Sequence, residues 1–575
     1  MRYIWIAGVL GMNSGVLAGP IAPPPGPVGE SYKTLTEVEP RTALSATNTP
    51  GNAQFVYIIN QSGSYYLTEN LIGVAGKGGI WVLGADVTLD LNGFTLDGTG
   101  GSGSGIQGDA DSDRLVIRNG HVSNWPLVGI MLEETPDVVV EDVTVSSTGG
   151  MGIFASSGVV TECRVINAGS DGIFVSGDSI VENCRVTGCT GAGIVAWTDS
   201  IVRGCLSVGN TLAGIETRSG SGNLFESNTA LGNGAGLRAL TPGNTFRNNH
   251  VNGNADNYDF APGNNLELLL SEIPESIDWA AKVTLEGSLT GLTGQNGIDV
   301  TSGDVSIDLG GHSLIGVPGS NRAIETPLGG LAGISVTNGT IRDWGSSGIF
   351  ALGSPDMRID GVAALANGGS GFRTGDRAKL TNCRAIGNSG TGIYAGRDAV
   401  VENCETLTNG LNGVTVSTGS VVRDSMSHDN GLRGISASAF GRILRCLAEN
   451  NGTDGILGGT QTTIRDCQTY SNSGAGIAFG PYSHVADNLC RGDADGIVAN
   501  GAGCRIEGNA VTGCSNTGYT VNFFDNLIIK NSASGNTVNY SINAGNNFGP
   551  IVTLTGAGSI SGIPDADHPW ANFEH

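Results

Sequence analysis

The sequence predicts an all-β fold, a parallel β-helix whose stacked coils each hold about 21 residues. Three observations predict it. A Gly-Ile pair or a close variant recurs at this fixed step, from Gly371-Phe372 through Gly392-Ile393 to Gly476-Ile477. Apolar residues inside each repeat alternate, as Ile393 and Ala395 do around Tyr394, which is the period of a β-strand. The 94 glycines spread along the chain exclude repeats built from helices of ten or more residues. Fixed-period repeats of this kind form a solenoid, in which each coil buries its apolar side only against its neighbours.

An asparagine column keeps the same step. Its members are Asn367, Asn388, Asn409, Asn430, Asn451 and Asn472. Asparagine tolerates left-handed backbone angles at a corner, and stacked amides can hydrogen-bond from coil to coil. We therefore expect a structural ladder at one corner of the coil, in preference to a row of binding residues.

Cysteines form a second column, at Cys383, Cys404, Cys446 and Cys467, with Ser425 at the fifth position. At identical phase these thiols should stack in the core, where free cysteine behaves as a small apolar residue. Three cysteines fall off this column and are the better disulfide candidates: Cys490, Cys504 and Cys514. No Cys-x-x-Cys or His-x-x-x-His spacing occurs, which argues against a zinc site.

The chain divides into an export signal, two similar halves and short flanking segments. Residues 1–18 combine Arg2, an apolar stretch and a small-residue cleavage site at Ala18, which predicts a signal peptide and a secreted protein of the periplasm or cell surface. No later apolar run is long enough to span a membrane. Residues 19–54 form a proline-rich, extended segment, and residues 551–575 form a C-terminal tail.

The two halves repeat one another. The run Asn119-Gly120 to Trp125 matches the run Asn338-Gly339 to Trp344 position by position, at one constant offset. We therefore predict two β-helices in tandem, at residues 55–270 and 277–550, with residues 271–276 as the joint.

Composition limits the partners. Lys and Arg number 29 against 53 Asp and Glu, giving a formal charge of −24, while charged residues make up only 14% of the chain. Such a surface repels nucleic acid and anionic lipid, so neither is an expected partner.

The Gly-Ile, Asn-Cys-x-Val and Asn-x-x-x-Gly-Ile columns resemble the right-handed parallel β-helix repeats of the pectate lyase-like superfamily, over residues 80–258 and 298–540. Residues 32–41 and 569–573 resemble a group of uncharacterised secreted bacterial proteins with this repeat. The resemblance implies polysaccharide chemistry by lyases, polygalacturonase-type hydrolases or epimerases. It specifies the fold strongly and the function weakly.

Several signatures of those enzymes are missing. The chain contains no Asp-Asp pair and no Asp-Pro-His, and Gly120-His121 and Gly311-His312 lack a second glycine. Pectate lyase-like enzymes need calcium-binding acids and an Arg or Lys base on a neighbouring coil, and the sequence shows no such order of residues.

The best metal candidate is the acidic loop that carries Asp109, Asp111 and Asp113. Alternate carboxylates can surround Ca²⁺, the cofactor that the resemblance suggests. However, Arg114 stands where a calcium loop needs glycine, which favours a solvated acidic loop. The tripeptide Arg491-Gly492-Asp493 spells a cell-adhesion motif, which chance explains in a chain this rich in Gly and Asp.

Outward positions two residues after each repeat glycine form an apolar and aromatic stripe. Phe154 and Phe174 belong to it in the first half, and Arg373 and Tyr394 in the second. Three interpretations compete: residues 32–43 cover the stripe, which we favour; the stripe is a subunit interface; or these four residues bind sugar rings. Arg377 and Asp398 share a phase and should form an exposed ion pair between coils.

Two functional hypotheses follow. The first is an exported β-helix that engages polysaccharide, with a calcium-assisted, pectate lyase-like reaction on uronic-acid polymers as its enzymatic form. The second is a non-catalytic structural or adhesive solenoid bound to a cell-envelope component. A groove that bears carboxylates beside an Arg or Lys favours the first, and a smooth Ser/Thr/Asn face favours the second.

Overall fold

The computed structural model describes residues 40–327, 329–556 and 559–575. All regular elements in these ranges are β-strands, and their ladders are parallel; one isolated antiparallel bridge joins Pro50 to Tyr57. The predicted all-β parallel β-helix is confirmed. The predicted signal peptide and residues 19–39 lie outside the described residues. Within the described ranges, no helix is long and apolar enough to cross a membrane.

Three sheets run along the axis of the solenoid. A ten-stranded sheet takes one strand from each coil of the first half: Phe55–Ile59, Gly78–Val82, Ile106–Gln107, Ile130–Leu132, Ile153–Ala155, Ile173–Val175, Ile194–Ala196, Ala213–Thr217, Ala235–Ala239 and Asp256–Phe260. A thirteen-stranded sheet does the same in the second half: Glu275–Ile277, Ile298–Val300, Ile324–Glu325, Ile349–Ala351, Phe372–Thr374, Ile393–Ala395, Val414–Val416, Ile435–Ala437, Ile456–Gly458, Ala475–Phe479, Asp495–Ala499, Thr517–Val521 and Val538–Ile542.

A 42-stranded sheet forms the other sides of the coils and continues through both halves. Most of its strands hold three residues, such as Val400–Glu402 and Glu405–Leu407. Its longest strands are Val116–Ser123, Val138–Ser146, Thr245–Asn252, Ser335–Arg342 and Arg358–Leu365. In these coils two short strands run together across a residue with left-handed angles, such as Asn119 (φ 58°) or Asn338 (φ 58°).

The core is a single continuous column of apolar side chains that extends from Leu44 to Ala533. Equivalent residues lie directly over one another, as Ile393 pairs in register with Val414 and Val414 with Ile435. Each buried Val, Leu or Ile contributes about 1.5–3 kcal/mol relative to an exposed one, so every coil adds a similar increment of stability.

The largest core side chains have equivalent surroundings in the two halves. Trp125 and Trp344 are fully buried, and each indole N–H donates to a carbonyl of an earlier coil, Leu96 O at 3.1 Å and Leu314 O at 3.2 Å. Gly79 and Gly297 lie against these rings, where an added Cβ would approach within 3.0 Å and 2.8 Å. The two halves therefore use the same tryptophan–glycine packing.

The asparagine ladder is continuous. Each side-chain amide N–H donates to the Oδ1 of the next asparagine at 2.9–3.0 Å, from Asn367 through Asn472, and all six residues are buried. Left-handed angles, however, belong to the residue before each asparagine, for example Thr408 (φ 51°) before Asn409. The asparagine is thus required for its amide rather than for its backbone.

The predicted joint interrupts only one side of the coil. Strand Asn265–Leu270 pairs with Lys282–Leu285 across residues 271–276, so the 42-stranded sheet connects the halves. The ten- and thirteen-stranded sheets end and begin here without pairing to each other. At the other end, Asn572–Glu574 of the predicted tail pairs with Ile551–Thr553 and with Ser532–Ser534, and closes the last coil.

All eleven cysteines are buried and free. The disulfides expected at Cys490, Cys504 and Cys514 are therefore not formed, because these thiols occupy inward positions of different columns. Burial raises the pKa of the Cys490 thiol well above its ordinary value. Asp493 is also buried: it takes the next ladder position and accepts from the Asn472 amide at 2.7 Å. The Arg-Gly-Asp tripeptide is thus not presented to a receptor.

Candidate functional site

Two outward surfaces carry the residues singled out above. We call the outer side of the ten-stranded sheet the first face and that of the thirteen-stranded sheet the second face. Strand register places Phe154 beside Phe174 on the first face, and Arg373 beside Tyr394 on the second.

The first face bears a packed aromatic and apolar cluster. Phe174 lies 4.9 Å from the ring of Phe154 and 5.2 Å from that of Trp197, in edge-to-face contacts. Phe174 and Val195 are buried although they point away from the core. Phe174 therefore cannot stack on a sugar in this arrangement, Phe154 is half-buried, and Trp197, 43% exposed, is the most accessible of the three rings. Of the segment predicted to cover this stripe, Thr42–Ala43 pairs instead with Gly63–Tyr66 in the 42-stranded sheet, and residues 32–39 lie outside the described ranges.

A buried charge cluster adjoins these rings. Arg218 donates two hydrogen bonds to Asp171, at 2.7 Å and 2.9 Å, and forms an ion pair with Glu216. Arg238, one coil further on, pairs with the same Glu216 carboxylate. Both carboxylates are buried and each forms an ion pair with arginine, while Glu216 Oε1 makes no hydrogen bond. This arrangement holds three coils together and leaves no acid free for chemistry.

The second face begins with two carboxylates in adjacent coils, Asp299 and Glu325. One amide connects them, because Asn296 Nδ2 donates to Asp299 Oδ1 at 2.8 Å and to Glu325 Oε2 at 2.7 Å. Arg322 forms an ion pair with the other Glu325 oxygen. Burial, with the neighbouring Glu325 charge, raises the pKa of Asp299 above its ordinary value. Both carboxylates are half-buried and reachable from solvent.

An arginine held between two aromatic rings comes next. The Arg373 guanidinium lies 5.5 Å from the Phe350 ring centroid and 5.4 Å from that of Tyr394, within cation–π range. Arg322 covers the Phe350 ring from the other coil, at 3.7 Å. In the described part of the chain Arg373 pairs with no carboxylate, and its Nε makes no hydrogen bond. The three residues of this stack are half-buried, so an edge of each faces solvent.

Polar residues continue the second face beyond Tyr394. Asn412 donates to Thr415 Oγ1 at 3.0 Å, and its own Oδ1 accepts from the Arg433 backbone N–H at 3.1 Å. Arg433 in turn reaches Asp454 at 3.3 Å. The face therefore presents, in order along the axis, carboxylates, an aromatic–arginine stack and neutral hydrogen-bonding groups.

The acidic loop does not gather into a metal site. Asp113 forms an ion pair with Arg114, Asp111 is exposed and Asp109 is half-buried. Among the described residues, no group of three or more His, Cys, Asp or Glu side chains is arranged to hold a metal ion. A guanidinium already occupies the second-face carboxylate Glu325, so Ca²⁺ does not fit there either.

The other expected ion pair also differs from its prediction. Arg377 bonds to Asp356 of the preceding coil, at 2.7 Å and 2.8 Å, instead of to Asp398. Sequence reasoning did not identify Asn296, Asp299, Arg322 or Glu325. The signal was present. Asn296 stands just before Gly297 of a Gly-Ile pair, and Asp299 two residues after it. Arg322 and Glu325 hold the same two positions around Ala323 of the Ala323-Ile324 variant.

Solved structures that resemble this chain share few identical residues with it. The A-module of mannuronan C-5 epimerase AlgE4 from Azotobacter vinelandii is 14% identical, with 69% of this chain and 87% of that one covered and a TM-score of 0.27. The periplasmic alginate epimerase AlgG is 8% identical, with 85% and 80% covered and a TM-score of 0.17. A variant of the PL6 family alginate lyase AlyGC is 10% identical, with 86% and 93% covered and a TM-score of 0.26. No curated protein matches the chain.

The family model for the right handed beta helix region matches residues 54–211 and 328–460, which together make up just over half of the chain. The match includes the Gly-Ile columns of both halves and agrees with the parallel coils of the structure. The chain belongs to the right-handed β-helix family.

Proposed function

We propose that this protein is exported and binds an acidic, uronate-containing polysaccharide along the second face, with β-elimination as its enzymatic reaction. The observation that carries the proposal is the Arg373 stack. A guanidinium without a carboxylate partner, fixed between two rings on an accessible surface, is a receptor for an anion attached to a flat, partly apolar group. A uronic acid has both features.

The binding mode follows from the geometry. Arg373 would pair with the uronate carboxylate, while Phe350 and Tyr394 contact the apolar faces of the flanking sugars. Because the coils repeat about every 4.8 Å, a polymer that lies parallel to the axis meets one coil after another. Asn412 and Thr415 then offer hydrogen bonds to its hydroxyls.

The chemistry requires a proton to leave the carbon next to the carboxylate. Arg373 would neutralise that carboxylate, which makes the neighbouring C–H more acidic, and Tyr394 on the adjacent coil, acting as the phenolate, would take the proton. The C–O bond to the next sugar breaks, a C=C bond forms, and the leaving oxygen receives the proton back from the Tyr394 hydroxyl, which restores the phenolate. No step depends on calcium, because the residues present do not fit that ion.

A non-catalytic, adhesive solenoid is the second candidate. One observation favours it: many surface arginines pair with carboxylates from coil to coil, for example Arg203 with Glu182 and Arg384 with Glu405, so these side chains are not free to act on a substrate. The second-face carboxylates beside Arg322 are the feature that favours the enzyme.

The test is incubation of the purified protein with a panel of uronic-acid polysaccharides, with and without added calcium. Ultraviolet absorbance of unsaturated products, absent with Arg373→Ala, is the expected result. New reducing ends without unsaturation would instead indicate hydrolysis by the Asp299–Glu325 pair. Binding without any product would support the adhesive alternative, and no binding at all would overturn the proposal.

A further inference from the structure

A left-handed turn follows the second-face strands from Ile298–Val300 onward and repeats along the solenoid. Asp398, Gly419, Gly503 and Gly545 occupy its left-handed position with φ between 55° and 87°. Asp and Gly are the residue types that adopt this conformation at least cost. Phe440 (φ 59°) and Tyr482 (φ 58°) occupy the same position in other coils. A bulky aromatic residue with left-handed angles is strained.

Burial does not explain these rings. Phe440 is 55% exposed and Tyr482 is 65% exposed, and Phe524, which adjoins the same turn two coils later, is 62% exposed. We call these three residues the aromatic ridge. Neither backbone preference nor core packing favours an aromatic residue at these positions, which makes the ridge a candidate for a role at the surface.

The ridge is regular and rigid. Its members occur in every second coil, so successive rings lie roughly 10 Å apart along the axis. Each turn is tied to the next coil by a backbone hydrogen bond, such as Phe440 N to Thr460 O and Tyr482 N to Ala502 O, both 2.9 Å. The coil between two rings carries a small or polar residue. Gly503 lies beneath the Tyr482 ring, where an added Cβ would approach within 2.7 Å.

The same two-coil step connects the ridge to the candidate site. Phe350 and Tyr394 lie two coils apart on the second face, and Phe440 belongs to the coil two further on. Aromatic rings therefore recur in every second coil from Phe350 to Phe524. Their line shifts from the middle of the face to its edge after Tyr394.

We infer that the aromatic ridge is a second glycan-binding site, which holds a polysaccharide whose apolar sugar faces recur at the two-coil spacing, as in a chain with a disaccharide repeat. The inference rests on the proposed function and assigns to its ligand a long, extended polymer. Gln461 separates Phe440 from Tyr482, and Gly503 separates Tyr482 from Phe524, which has the exposed Phe523 beside it. Rings spaced in this way suit separate sugar faces, whereas a protein or bilayer partner needs a continuous apolar patch.

The surroundings agree with a glycan. Asn500, Asn522 and Asn543 line the adjacent edge, and the Asn522 amide reaches Asn500 Oδ1 at 3.2 Å. These neutral amides can exchange hydrogen bonds with hydroxyls and carry no charge that would repel a uronate.

The test compares the native protein with a ridge variant, Phe440→Asn/Tyr482→Asn/Phe524→Ala. Asparagine adopts left-handed angles more readily than Phe or Tyr, so the variant should melt at the same temperature as the native protein or higher. Two variants are the controls. One is Gln461→Asn, in the same turn, and the other is Leu411→Ala, which changes an exposed apolar residue at another corner. The ligands are a long polyuronate and its trisaccharide.

We expect the ridge variant to bind the long polymer at least about tenfold more weakly, since three ring contacts are lost, and to bind the trisaccharide as the native protein does. Equal binding of the long polymer by both proteins would overturn the inference and leave the proposed function intact. Loss of trisaccharide binding in Arg373→Ala, with trisaccharide binding unchanged in the ridge variant, would support the proposed function. Ridge-dependent binding to neutral phospholipid vesicles, with glycan binding unchanged, would overturn the inference in favour of a membrane, and no glycan binding by the native protein would overturn both.

Discussion

Removing one amide from the asparagine ladder should destabilise the solenoid far more than its size suggests. Asn409 is fully buried, and its Oδ1 accepts from the Asn388 backbone N–H at 3.1 Å and from the Asn388 amide at 2.9 Å. Its own amide donates to Asn430 Oδ1 at 3.0 Å and to the Ala385 carbonyl at 2.9 Å.

In Asn409→Ala two donors of Asn388 lose their acceptor inside the protein. The Asn430 oxygen stays satisfied because it also accepts from the Asn409 backbone. A buried group left without a partner costs about 1–3 kcal/mol, so two donors together predict a loss of about 3 kcal/mol in the free energy of unfolding. The cavity of the missing amide adds to this loss.

The measurement is denaturant unfolding of the whole chain followed by circular dichroism, with hydrogen exchange of the peptides that span residues 383–412. Exchange should accelerate in those coils first, since each repeat is stabilised by its neighbours. Asn522→Ala removes an exposed amide and should change stability by less than about 0.5 kcal/mol. If Asn409→Ala matches that control and Asn388 exchanges at its native rate, the ladder does not stabilise the fold.

Three further predictions concern charge. Burial raises the pKa of Asp493 in the folded protein, so the native state retains its proton to higher pH than the unfolded chain and stability falls as pH rises from about 4. Asp493→Asn should therefore be more stable than the native protein at pH 7 and equal to it near pH 3, by thermal melts; an equal gain at both pH values would contradict this. Glu216→Ala leaves Arg238 without its buried partner and Arg218 with Asp171 alone, and should cost about 3 kcal/mol in the same melts, the lower part of the range for a broken buried pair because both arginines are partly exposed; a loss below about 1 kcal/mol would contradict the assignment. Arg373→Lys keeps the charge but loses the planar contact with both rings, and should retain weak polyuronate binding in a titration where Arg373→Ala retains none; equal affinities for the two variants would remove the stacked guanidinium from the recognition.

The repeat period was enough to predict the coil, its apolar core and the hydrogen-bonded corner, because a fixed step places equivalent side chains over one another. Where the step changes, prediction from the sequence fails. The coils that start at Ile298, Ile324 and Ile349 are longer than the regular repeat. Counting in steps of about 21 residues therefore does not align Asn296 with Glu325. Strand alternation also gave the direction of Phe174 correctly but not its burial, which depends on what packs over the sheet. The pairing of Arg377 with Asp356 needed the side-chain direction, which the phase alone does not contain.

Equilibrium binding of a uronate oligosaccharide tests the central claim most directly, with three proteins compared at one salt concentration. The native protein and Trp197→Ala, which alters the accessible ring of the first face, should bind the ligand with the same affinity, and Arg373→Ala should bind none. Undiminished binding by Arg373→Ala, or a loss confined to Trp197→Ala, would place the polysaccharide elsewhere and contradict the account.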